Sequence, residues 1–177
     1  MRMLGDYNIP FYGLKEDIHK YNFETDDQFF EFFDNPDLPG GELKIDMNLN
    51  RKASFLELDF HFTGFLRLIC DRCLDIFEYS VDFEQKLFVR FGEEDEEQSD
   101  NVVVIPRDET RLNIAQFIYE YAALNIPVKK AHPEDENFKS TCNQEMIKKL
   151  EQHQGASDTE EFSDPRWQAL KNLKNNN

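Results

Sequence analysis

From Leu43 the chain alternates: Leu43, Ile45, Met47 and Leu49 are apolar, while Lys44, Asp46, Asn48 and Asn50 between them are polar. A period of two is the mark of a strand with one buried and one wet face. After a polar turn near Asn50 to Lys52 the apolar phase moves to Leu56, Leu58, Phe60, Phe62, Leu66 and Leu68, with Glu57, Asp59, His61, Thr63 and Arg67 opposite. Cys70 falls in phase with the inward set. A third run carries Phe77, Tyr79, Val81, Phe83, Leu87, Val89 and Phe91 against Glu78, Ser80, Asp82, Glu84, Lys86 and Arg90. Three successive antiparallel strands, a meander, are the simplest prediction.

The run E-E-D-E-E-Q-S-D after Gly92 has no apolar content and is expected to be a solvated loop. V-V-V-I-P at 102 to 106 is β-branched and ends at proline, which predicts one more short strand on the sheet. A helix is expected over 114 to 126, with Asn113 as cap, Leu112 packing on Phe117 and Pro127 as the stop. Its apolar face, Ile114, Phe117, Ile118, Tyr121 and Ala122 with Leu124 at its edge, suits a second layer over the sheet. Near the start, Thr25 and Gln28 have capping-box spacing, which predicts a short helix from about Asp26 to Phe33. The fold expected is α+β: an antiparallel meander sheet or partly open barrel packed by one main helix, with short N-terminal and C-terminal helices.

Beyond Lys130 the chain turns polar, so 1–130 is read as the core domain and 131–177 as an extension. The segment N-Q-E-M-I-K-K-L-E-Q is at most a short amphipathic helix. In D-P-R-W-Q-A-L-K-N-L-K, Asp164 can cap, Pro165 fits the first helical position, and Trp167, Leu170 and Leu173 have helical spacing. That stripe either docks on its own domain or recruits a partner through Asp164, Pro165, Arg166, Trp167 and Leu170.

Charge changes this picture most. With 20 Lys and Arg against 36 Asp and Glu, the formal net charge of the 177 residues is -16. A surface of that sign repels phosphate backbones over any broad face and suits a basic protein partner. Lys44, Arg51, Lys52, Lys129 and Lys130 are the places where a local basic patch could survive. The longest apolar runs fall short of the roughly 18 residues of a membrane span, so a soluble, cytoplasmic protein is expected. Three cysteines are too few, and odd in number, for a secreted disulfide framework.

Cys70 and Cys73, in L-I-C-D-R-C-L-D, carry the only chemical motif. Two thiolates of one turn can reach the same zinc ion, but a structural site takes four ligands. Cys142 and His132 are the next candidates, with His153, His61 and His19 behind them, and none forms a second pair at ligand spacing. A dithiol oxidoreductase places its pair at the start of a helix, whereas both flanks here read as strand. The plain alternative makes Asp71 and Arg72 the centre of a hairpin turn, with the two thiols packing as small hydrophobes. No Gly-rich phosphate loop, Gly-x-Ser-x-Gly elbow or paired-histidine zinc motif is present, so no enzyme is expected.

Taken in order, the meander with C-D-R-C in its hairpin, the acidic run, the helix ending in N-I-P at Asn125 to Pro127 and the D-P-R-W-Q-A-L at Asp164 to Leu170 resemble the YceD-like family, the large ribosomal RNA subunit accumulation proteins. The resemblance implies a non-enzymatic role in accumulation, processing or stability of large-subunit ribosomal RNA, and so in ribosome assembly. Many relatives have a second cysteine cluster that, with the first pair, looks like a zinc site. Here only Cys142 stands in that region, so no cofactor is expected and Cys70 and Cys73 are read chiefly as structural. The expected partner is a basic ribosomal protein or pre-ribosomal assembly factor, with direct RNA contact left open. The alternative is a thiol- or zinc-dependent structural or redox-sensing protein centred on Cys70 and Cys73.

Overall fold

The computed structural model describes residues 4–92, 101–134 and 141–153. A short 3-10 turn (Leu4–Tyr7) leads into β1 (Asn8–Pro10), β2 (Ile18–Thr25), α1 (Asp27–Glu31), β3 (Gly40–Arg51), β4 (Phe55–Ile69) and β5 (Ile76–Phe91). Then come β6 (Val102–Ile105), β7 (Arg111–Asn113), α2 (Ala115–Leu124) and α3 (Gln144–His153). The class is α+β. The main sheet is open and runs β2-β3-β4-β5-β6, while β1 and β7 form a separate two-stranded ladder.

The three long alternating runs form the predicted meander. Leu43, Ile45, Met47 and Leu49 of β3 face the core, as do Leu56, Leu58, Phe60, Phe62, Leu66 and Leu68 of β4. The registers Ile45↔Phe62 and Phe62↔Phe83 keep each apolar set on one face. The Phe62 and Phe83 rings stack at 4.6 Å. Tyr121 of α2 closes over them, 5.8 Å from the Phe60 ring and 6.1 Å from that of Phe62. Tyr7, Ile9, Phe11, Leu112 and Ile114 complete the layer, which explains why the small β1–β7 ladder exists.

Three local expectations change. A strand precedes the first helix: β2 pairs antiparallel with β3 along its whole length, and Thr25 ends that strand, where its hydroxyl accepts the Leu43 N–H at 3.1 Å. The helix cap is therefore Asp26, whose carboxylate accepts the Phe29 N–H at 3.2 Å. Asn113 does bond the Ala115 N–H at 3.0 Å, but from β7, with Ile114 intervening before the helix. Finally, β6 lies parallel to β5, where a continued meander would have placed it antiparallel. The acidic run itself and the 164–174 stripe lie outside the described residues.

Candidate metal centre

The β4–β5 connection is longer than the two-residue turn suggested by Asp71 and Arg72. Pairing ends at Ile69↔Ile76, leaving six residues between. The Cys70 N–H donates to the Asp75 carbonyl at 3.0 Å and the Leu74 N–H to the Cys70 carbonyl at 2.9 Å. Leu74 takes a φ of 63°, a left-handed conformation that reverses the chain here. This knot turns both thiols inward: Cys70 is 0% and Cys73 1% exposed.

Two other segments are tied to the same turn. The Asp71 N–H donates to the Lys130 carbonyl at 2.7 Å, and the Lys130 N–H returns a bond to the Asp71 carboxylate at 2.7 Å. That clasp places His132 two residues further on, its ring 4.9 Å from that of Phe77. On the other side, the Asn143 side-chain amide donates to Asp75 at 3.1 Å, while its oxygen accepts the Glu145 N–H at the start of α3, also at 3.1 Å. Cys142 is thereby held at the turn, 3% exposed.

The result is a four-donor cluster, Cys70, Cys73, His132 and Cys142, whose ligand atoms all lie within 4.8 Å of one another. Cys70 Sγ is 3.8 Å from Cys142 Sγ, and Cys73 Sγ is 3.4 Å from His132 Nδ1. A tetrahedral zinc with Zn–S near 2.3 Å and Zn–N near 2.0–2.1 Å has edges of about 3.8 Å between sulfurs and about 3.5 Å between sulfur and nitrogen. The donor set and spacing therefore fit zinc. Three thiols and one imidazole with no carboxylate also favour that ion over calcium or magnesium. Four protein donors, three of them buried, leave no open position, the arrangement of a structural centre and not of a catalytic one.

The electrostatics point the same way. Burial pushes the Cys70 thiol up, but the N–H groups of Cys73 and Arg72 and the His132 side chain outweigh it and bring Cys70 down to about 6. Burial raises Cys73, and the neighbouring Cys70 sulfur adds to the rise. A bound ion would let both sulfurs donate as thiolates.

In the sequence Cys142 and His132 are the foremost candidates to join Cys70 and Cys73, but no ligand spacing marks them. The structure brings all four together and leaves His19 and His61 elsewhere: His61 lies on the wet face of β4, 2.8 Å from Asp82, and His19 is bonded to the Lys15 carbonyl. The signal that could have found the site is the tertiary clasp at Lys130, which no local pattern encodes. Asp164, Pro165, Arg166, Trp167 and Leu170 lie outside the described residues.

An open, five-stranded α+β sheet whose hairpin turn carries a closed Cys/His cluster defines a small protein with a candidate structural metal centre. Residues 58–174 match the family described as Large ribosomal RNA subunit accumulation protein YceD, and the chain belongs to that family. No curated protein and no solved structure matches the chain. Among the described residues no helix is long and apolar enough to cross a membrane.

Proposed function

We propose that this chain is a non-enzymatic cytoplasmic factor in the accumulation of large-subunit ribosomal RNA, acting by binding a basic ribosomal protein or assembly factor. Membership of the YceD family, over 58–174, is the observation that carries the reading. The net charge of -16 supports a basic protein partner. So does the wet face of the sheet, where Asp46, Asp82 and Glu84 surround His61 and hold its imidazolium form above the usual range, the Asp82 hydrogen bond contributing most. In this reading zinc at Cys70, Cys73, His132 and Cys142 fixes the exit of α2 and the start of α3 to the hairpin turn, keeping one shape for the partner to meet.

Depletion of the protein tests this directly. Large-subunit RNA should fall relative to small-subunit RNA, and tagged protein should co-sediment with pre-ribosomal particles in a salt-sensitive manner. Unchanged RNA levels together with absence from those particles would contradict the proposal. The alternative, a thiol- or zinc-dependent structural or redox-sensing protein centred on Cys70 and Cys73, would be removed by finding neither metal on elemental analysis of purified protein nor a redox-linked change in its free-thiol count.

A further inference from the structure

The opposite end of the β4–β5 hairpin carries a groove remote from the metal centre. Phe55 and Phe88 stand half-buried on the wet face, their rings 6.4 Å apart. Phe88 lies on the side of the sheet that carries the Lys86–Glu57 ion pair, and the Lys86 ammonium sits 5.8 Å from its ring. Val104, only 6% exposed, is buried here yet is not part of the main core. With Ser54, Phe91, Val102, Arg90 and Arg107, these two phenylalanines line a groove of about 470 Å3.

Several cations of the protein are already committed, while Arg90 and Arg107 line this groove. Lys130 is paired with Asp37, Lys86 with Glu57 and Asp59, and Arg67 with Asp27, Glu42 and Glu78. Arg51 donates to the carbonyls of Phe11 and Leu14. Arg90 and Arg107 are exposed and make no ion pair among the described residues. Two aromatic faces beside two uncommitted guanidinium groups match the chemistry of an unpaired nucleotide, with a base stacked on a ring and its phosphates held by arginine.

We propose that this groove binds a short single-stranded segment of RNA, with Phe88 and Phe55 as the stacking platform and Arg90 and Arg107 as the phosphate contacts. The occupant is a single strand because its bases are free to splay onto the rings, whereas duplex RNA hides them. The strongly negative remainder of the protein also opposes the long backbone contact that a duplex would need. The inference goes beyond the protein-binding role proposed above, and its test uses no ribosomal particle, so either can fail alone.

Fluorescence anisotropy of the purified full chain tests it with a labelled ten-nucleotide RNA, the same RNA as a duplex, and a polyglutamate peptide as competitor. Saturable binding to the single strand is expected. Phe88→Leu, which keeps apolar packing, should weaken it at least fivefold with the salt dependence unchanged. Arg90→Gln or Arg107→Gln should weaken it and also reduce the slope of log affinity against log salt by about 0.7. Far-UV circular dichroism and metal content of each variant should match wild type. Absence of saturable binding, equal affinity for the duplex, equal displacement by polyglutamate, or affinity unchanged in all three variants would each overturn the proposal.

Discussion

The two ends of the β4–β5 hairpin are held by different physics. At the open end and through the middle, burial does the work: Leu58, Phe60, Phe62 and Leu87 are sealed between sheet and helix, and the registers on either side of β4 are continuous. At the turn, Phe77 packs on the His132 ring, but thiols and polar groups make most of the junction between the hairpin and the segment after α2. Three thiols, one imidazole and a set of backbone bonds meet there. The first arrangement stands on area removed from water, and the second on donors that one ion would satisfy together. The sheet and the α3 segment should therefore respond differently to the same insult.

The largest expected effect is in the middle of the sheet. Phe62→Ala removes a ring that contacts both Phe83 and Tyr121, and should cost about 3–5 kcal/mol in urea denaturation, across the whole protein at once. Gly64→Ala comes next. Gly64 has a φ of 141° and lies against the backbone of Glu42 and Leu43, so a methyl group there must push β3 and β4 apart. A loss of about 2–4 kcal/mol, again global, is expected from strain and lost ladder bonds.

At the turn end the effect should be local. Cys142→Ser is expected to speed proteolysis within α3 at least tenfold while leaving hydrogen exchange in β3 and β4 close to wild type. Equal loosening of the central strands would show that the two ends form one cooperative unit. The smallest effect concerns the wet face. His61 is raised by its hydrogen bond to Asp82, so that pair stabilises the fold below the free-imidazole range and loses its contribution as pH rises through the folded value. Asp82→Asn should therefore lower Tm slightly at pH 5 and leave it unchanged at pH 9, with no change in metal content at either.

The same contrast sets how much of the molecule could be read from its sequence. The meander was legible because β3, β4 and β5 each alternate for many residues, and a period of two admits few other interpretations. The strand β2 was missed: its inward positions include His19, Tyr21 and Phe23, none fully buried, and it lies at the sheet edge where half its surface stays wet. The β1–β7 ladder is three residues long and includes Pro10, too short to carry a pattern. No residue in Val102–Ile105 states the direction of β6.

For the metal centre, Cys70 and Cys73 were visible as a pair because both lie in one turn. His132 and Cys142 are separated from them by 59 residues, for the Cys73–His132 contact, and 72 residues, for the Cys70–Cys142 contact. Their approach depends on the clasp between Asp71 and Lys130 and the bond between Asn143 and Asp75. Those are tertiary contacts of ordinary polar residues. The arginine groove was missed for a related reason: Arg90 lies in β5 and Arg107 in the turn after β6, and the docking of β6 on β5 brings both to one groove.

Titration of the metal-free, reduced full chain with cobalt(II) tests the four-donor centre most directly. One equivalent should bind, with the visible absorption of a tetrahedral ion and a thiolate-to-cobalt charge-transfer band in the near ultraviolet, both abolished by one equivalent of zinc. Cys142→Ser and His132→Ala should each weaken binding at least tenfold. Absence of stoichiometric binding, or a spectrum and affinity unchanged when both substitutions are combined, would contradict the centre described here.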